Sequence, residues 1–236
     1  MSAILPISAE QEAERLQALK PYKTLAQAHH KVFERVAELT ARLFAAPMAQ
    51  VSLVDAEEVI YPGNAGKPPL ASRLARADSI CAVAVYRPNM TTVFPDLRAE
   101  PCRWVSAEAQ KDFAFYASHP IQTTTGQPIG SLCVLDRKPR QFTADEQTVL
   151  QRMAGLTMQL LDLELLAAPE QALWAAINGR IDLSLQRIET LTALARWEMS
   201  PETATAQAYR TSIQEERLLI VQDIEYEVSA AFARLP

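Results

Sequence analysis

Several things are scarce in this 236-residue chain, and each scarcity excludes a class of protein. It has three cysteines, Cys81, Cys102 and Cys133, and three histidines. The cysteines are too few and too scattered for a disulfide framework and form no CxxC pair, so the sequence predicts free thiols, a reducing compartment and no structural zinc. Like charges never gather into a block. Lys and Arg (23) alternate with Asp and Glu (28), for a net charge of -5. Without a basic stripe to meet phosphates, nucleic acid is not an expected partner. No apolar run approaches the roughly 20 residues needed to span a bilayer. The N-terminus MSAILPISAEQEAERL turns acidic quickly and does not read as a signal peptide, so a cytoplasmic protein with no membrane partner is expected. There is also no GxSxG, P-loop or HExxH signature, and no pair of carboxylates with an evident cleft. No catalytic residue and no metal ligand is assigned.

What is present is apolar content, 49% of residues, enough to bury a substantial core. Ser8 and Gln11 have capping-box spacing, so a short helix is expected from Ala9, ended by Pro21. A second helix, about Thr24 to Ala45, carries Leu25, Ala28, Val32, Val36, Leu39 and Leu43 on one stripe. The pattern then turns β-like. Ala49–Asp55 is a strand, with Glu58–Tyr61 as its hairpin partner across Ala56 and Glu57, and a loop from Pro62 to Pro69. Asp78 or Ser79 caps a helix through Cys81, Val85 and Tyr86 that stops before Pro88. Further strands are expected at Thr91–Phe94, Phe113–Ile121 and Pro128–Asp136, with a turn at Thr125-Gly126. Thr143 and Glu146 form a second capping box opening a long helix. This order specifies an antiparallel sheet with flanking helices, an α+β fold.

These residues resemble a known family. Ala41–Asp55, with its helix end, Pro47 and Val-Ser-Leu-Val run, resembles the first helix and strand of bacterial GAF domains. Ser79-Ile-Cys-Ala-Val-Ala84 resembles their central helix and Phe94-Pro-Asp-Leu97 their acidic loop. Phe115-Tyr-Ala-Ser-His-Pro120 and Pro128–Asp136 resemble their last two strands, and Arg140–Gln147 the start of their closing helix. The matches fall in order across about three fifths of the chain. The resemblance implies a GAF/PAS-like antiparallel six-stranded sheet with helices on one face. On the other face, the central helix and an irregular loop roof a small-molecule pocket. The chain would divide into an N-terminal helix (1–21), a GAF domain (22–167) and a helical extension (168–236).

Candidate ligand-binding residues are Cys81, Tyr86, Trp104, Phe115, Tyr116 and His119. The aromatic residues among them suit a pocket wall or ordinary core equally. His119 suits a ligand contact, haem coordination or a structural role. The leading expectation is a non-enzymatic sensory or regulatory module that binds a small molecule and signals through helix-mediated dimer or partner contacts. Free methionine sulfoxide reductases are GAF proteins with reactive thiols in the central helix and the following loop, where Cys81 and Cys102 fall, so a thiol enzyme is the competing reading. A third is a scaffold whose pocket is filled by its own side chains. Bilin attachment would pair a cysteine with an adjacent histidine; Cys81 is followed by Ala82, so no bilin is expected and the ligand is unknown. The tail carries Trp174, Ile177, Ile181, Ile188 and Leu191, then Tyr209, Ile213, Leu219, Ile220, Ile224 and Val228, at helical spacing around a break at Ser200-Pro201. These stripes fit either an intramolecular hairpin or a homodimer through the terminal helices, and the dimer is the favoured expectation. With no histidine after His119 the tail cannot be a histidine-kinase phosphoacceptor helix, so output is expected through a separate signalling protein.

Overall fold

The computed structural model describes residues 7–26, 31–66, 71–99, 113–166, 171–197 and 203–235. Its centre is a six-stranded antiparallel sheet of β1 (Met48–Val54), β2 (Glu58–Ala65), β3 (Arg73–Ala75), β4 (Thr92–Phe94), β5 (Phe115–Gln122) and β6 (Pro128–Asp136). The spatial order is β3-β2-β1-β6-β5-β4. The first and last long strands therefore lie side by side at the middle, with Val51 opposite Leu132.

Strand alternation gives the sheet two distinct faces. Ala49, Val51 and Leu53 of β1, Phe115, Ala117 and Ile121 of β5, and Leu132 and Val134 of β6 enter one core. Helices α1 (Ala9–Ala26), α2 (Lys31–Leu43) and α3 (Ala144–Leu166) cover that face. Val32, Val36, Leu39 and Leu43 of α2 are buried there, as their spacing predicts. Met48 and Val54 of β1, Tyr116 of β5, and Cys133 and Leu135 of β6 point the other way. A seven-residue 3-10 helix, η2 (Ile80–Tyr86), which follows the three-residue η1 (Arg76–Asp78), covers them.

Local chemistry sets the element ends. Ser8 Oγ accepts from Gln11 N at 3.1 Å while Ser8 N donates to Gln11 Oε1 at 2.9 Å, and Thr143 and Glu146 repeat the exchange at 3.2 and 2.9 Å. Both capping boxes thus satisfy first-turn N–H groups. The β5–β6 turn closes through Gly126 N to Thr123 O at 2.8 Å, with Gly126 at φ 81°. Only glycine adopts that angle without strain.

Three expectations need correction. Pro21 does not end α1, which runs on to Ala26. Leu19 and Tyr22 on either side are buried, and Tyr22 Oη donates to Asp162 of α3 at 2.7 Å; this anchoring offsets the one backbone bond a proline removes. Thr24, expected to open the second helix, lies within α1, and the second helix is described over Lys31–Leu43, with residues 27–30 outside the described residues. Pro62-Gly-Asn64 is strand, not loop. The β1–β2 register steps from Val51↔Gly63 to Leu53↔Ile60, so Tyr61 and Pro62 together oppose Ser52, a bulge where proline's missing N–H is tolerated.

The tail adds a further layer. Helices α4 (Gln171–Trp197) and α5 (Ala204–Phe232) pack on each other, α4 against α2 and α5 against α3. Ile177, Ile181, Ile188, Ile220, Ile224 and Val228 join the same apolar cluster as Val36 and Leu39. These six side chains of the expected stripes are thus buried within one chain, while Leu219 of the second stripe is exposed. Arg42–Glu189 at 2.9 Å, the Arg35–Asp182 pair and Arg152–Glu225 at 2.5 Å fasten the hairpin from outside. No helix among the described residues is long and apolar enough to cross a membrane.

Candidate functional site

The face under η2 is where this sequence places polar atoms in a core. Ser79 caps η2, accepting from Cys81 N at 3.2 Å, and its hydroxyl also meets Tyr61 Oη of β2 at 2.7 Å. Ser52 Oγ and Ser131 Oγ meet at 2.9 Å across β1 and β6, and Gln50 Nε2 donates to Asn64 Oδ1 at 2.7 Å. Tyr116 and Ser118, two apart on β5, are 0% and 1% exposed. Their hydroxyls have no hydrogen-bond partner among the described residues, although Cys81 and Ser118 lie close to Tyr116 Oη. A buried hydroxyl left unpaired costs on the order of 1–3 kcal/mol, so such groups ordinarily find a protein, water or ligand partner.

Cys81 belongs to the same cluster. Its Sγ lies 3.6 Å from Cys133 Sγ of β6, and both thiols are free and buried. The neighbours divide their acidity. The Cys133 thiol, then Tyr116, Tyr61 and Ser131, hold Cys81 down against the burial that opposes them. Burial, then Cys81 itself, pushes Cys133 well up. Burial likewise raises both tyrosines, which stay neutral donors at physiological pH.

The expected site residues separate by face. Cys81 and Tyr116 come together. Tyr86 is half-buried at the end of η2 and lines a cleft of about 900 Å3 on its outer side, with Glu12, Ser79, Arg76 and Val83. Phe115 and His119 do not join them: alternation on β5 turns both to the helix-covered face. There Phe115 packs on Phe142 at 5.7 Å between ring centres, and His119 Nδ1 meets Thr91 Oγ1 at 2.9 Å. Burial lowers the His119 pKa and favours its neutral form. Trp104 and Cys102 lie outside the described residues, as do His29 and His30. No group of three or more His, Cys, Asp or Glu side chains among the described residues is placed to hold a metal.

The sequence reading missed Arg15 and Arg76. Arg15 of α1 is 1% exposed; it donates to Val54 O at 2.6 Å and pairs with Glu12 at 2.7 Å. Arg76 also pairs with Glu12, at 2.5 Å, and lies over the Tyr86 ring at 5.8 Å. Burial opposes ionisation of Glu12, but the hydrogen bonds from Arg15 and Arg76 outweigh it and hold the carboxyl at about 2. A signal existed for Arg15 alone: it stands four residues before Leu19, on the stripe that faces the sheet.

This antiparallel order, helices on one face and a short helix roofing the other, meets the sequence pattern of the GAF domain family over residues 28–161, more than half of the chain. The chain belongs to the GAF family. GAF domains are regulatory or sensory modules, and this one carries a helical hairpin behind its sheet. A 155-residue stretch is 29% identical to a cyclic di-GMP phosphodiesterase of Pseudomonas aeruginosa, covering 63% of this chain and 25% of that protein. The GAF chain thus spans about a quarter of that relative. Among solved structures, the type II free methionine-R-sulfoxide reductase of Thermoplasma acidophilum is similar at 15% identity and a TM-score of 0.49, over 58% of this chain and 94% of that one. The free methionine-R-sulfoxide reductase of Neisseria meningitidis is similar at 18% identity and a TM-score of 0.47, over 69% and 96%. Likeness at this level bears on neither chemistry nor ligand.

Proposed function

We propose that this GAF module senses a small polar molecule held between η2 and the sheet, and that the bound state is read out through the packed helices. The observation that carries the reading is the pair of buried hydroxyls, Tyr116 and Ser118, left without a partner among the described residues. They offer two anchoring points two residues apart on one strand, under a roof of seven residues. A ligand accepting from both relieves the cost of two unpaired buried hydroxyls, so binding and order at β5 and η2 rise together.

A contact route to the helices supports the readout. Tyr86 at the end of η2 touches Arg76, Arg76 binds Glu12 of α1, Tyr22 of α1 bonds Asp162 of α3, and Arg152 of α3 bonds Glu225 of α5. A shift of η2 is therefore felt at the hairpin surface, where Leu183, Leu219 and Tyr226 stand exposed and suit a second copy or a separate signalling protein. Similarity to part of a cyclic di-GMP phosphodiesterase supports a place in signalling; its catalysis belongs to the whole of that relative.

Thermal-shift screening of the full chain against a panel of polar metabolites tests the reading, with isothermal titration of each hit. A hit that stabilises the wild type and binds Tyr116→Phe about tenfold more weakly, the cost of one hydrogen bond, supports it. Equal affinity for the variant, or no hit across the panel, counts against it.

A further inference from the structure

Two free thiols on different elements meet inside the roofed face. Cys81 sits in the first turn of η2 and Cys133 at the centre of β6, at 1% and 0% exposure, with sulfurs 3.6 Å apart. A disulfide needs sulfurs about 2.05 Å apart, so an approach of about 1.5 Å closes the bond. Only η2 has to move, because β6 is held by strands on both sides. A short 3-10 helix has poorer hydrogen-bond geometry than an α-helix and yields more readily. Tyr116 Oη lies beside Cys81, is without a partner among the described residues, and remains a neutral donor.

We propose that Cys81 and Cys133 form a redox-active dithiol, oxidised by hydroperoxides to a disulfide that ties the roof of the GAF fold to its floor. The Cys81 thiol gives up its proton, and its sulfur attacks one peroxide oxygen, breaking the O–O bond. With hydrogen peroxide, the products of this step are a Cys81 sulfenic acid and hydroxide, which takes the released proton to form water. Tyr116 Oη is placed to donate a hydrogen bond to the departing oxygen. The Cys133 sulfur then attacks the sulfenyl sulfur, the S–O bond breaks, and the Cys133 proton leaves with the hydroxyl as a second water. Two thiols lose two electrons and two protons, and one peroxide is reduced to two waters. A small-molecule dithiol reverses the change. The proposal does not depend on any ligand, since the two sulfurs are already in contact.

The test treats the full chain with hydrogen peroxide, blocks remaining thiols by alkylation, and maps the non-reduced peptides by mass. The expected result is a Cys81–Cys133 linked peptide, absent after dithiothreitol, with formation unaffected in Cys102→Ser. Hydrogen exchange at the amides of Ile80–Tyr86 should slow by about tenfold in the oxidised form, because the cross-link suppresses local opening. In Cys133→Ser, Cys81 should instead be captured as sulfenic acid by dimedone. Should that variant fail to fold, the wild-type map alone decides. Recovery of Cys81 and Cys133 as alkylated thiols, or linkage of Cys81 to Cys102, overturns the proposal.

Discussion

At the scale of single residues, the sequence hides what matters most at the η2 end of the molecule. Glu12 reads as an ordinary helix-surface carboxylate, yet it holds two arginines from different parts of the chain. Its carboxyl sits at about 2 against an ordinary 4.5, because bonds from Arg15 and Arg76 outweigh burial. A depressed carboxylate stabilises the fold above its unfolded value, and the contribution fades as pH falls through the folded one. The melting temperature of the wild type should therefore exceed that of Glu12→Gln near neutral pH, and the gap should close between pH 4.5 and about 2. Paired thermal melts across that window check this; two parallel curves would refute it. Cys81 was legible as the residue to question, from its place after a capping serine. Cys133 as its neighbour was not, since a contact between positions 52 apart depends on which strands pair.

At the scale of elements, what was legible is what local chemistry decides. The capping boxes at Ser8 and Thr143, the hairpin across Ala56 and Glu57, and the turn at Gly126 all formed where side-chain type and spacing put them. The misreadings were prolines, Pro21 inside a helix and Pro62 inside a strand, where tertiary contacts overrode a local rule. Strand β3 was missed for a related reason: three exposed residues at a sheet edge carry no apolar alternation to read. The bulged β2 also brings Gly63 against α2. A Cβ there would lie 2.2 Å from Phe33 O, so the helix crosses the sheet only because that position has no side chain. Gly63→Ala should destabilise the chain by about 2 kcal/mol or more, read from denaturant melts. A loss under half a kilocalorie would show that α2 can retreat from the sheet at little cost.

At the scale of the whole molecule, the hairpin of α4 and α5 completes the core behind the sheet. Its spacing in the sequence did not choose between a hairpin and a dimer, because a helical stripe is the same whichever helix covers it. In the chain Ile224 is fully buried between the hairpin and the domain. Ile224→Ala should cost about 2–5 kcal/mol and lower a single cooperative transition. Two separate transitions, with only the smaller one shifted, would instead describe a tail that folds apart from the sheet. The faces of the sheet divide the work. One is closed by three helices and apolar side chains. The other keeps hydroxyls and thiols under seven residues of 3-10 helix.

That second face holds the proposed binding site, and a high-resolution crystal structure of the natively purified protein examines it most directly. Density for an ordered water or a small molecule within hydrogen-bond reach of both Tyr116 Oη and Ser118 Oγ is the predicted result. Both hydroxyls bonded to the protein itself, with apolar side chains filling the space beneath Cys81, would contradict it.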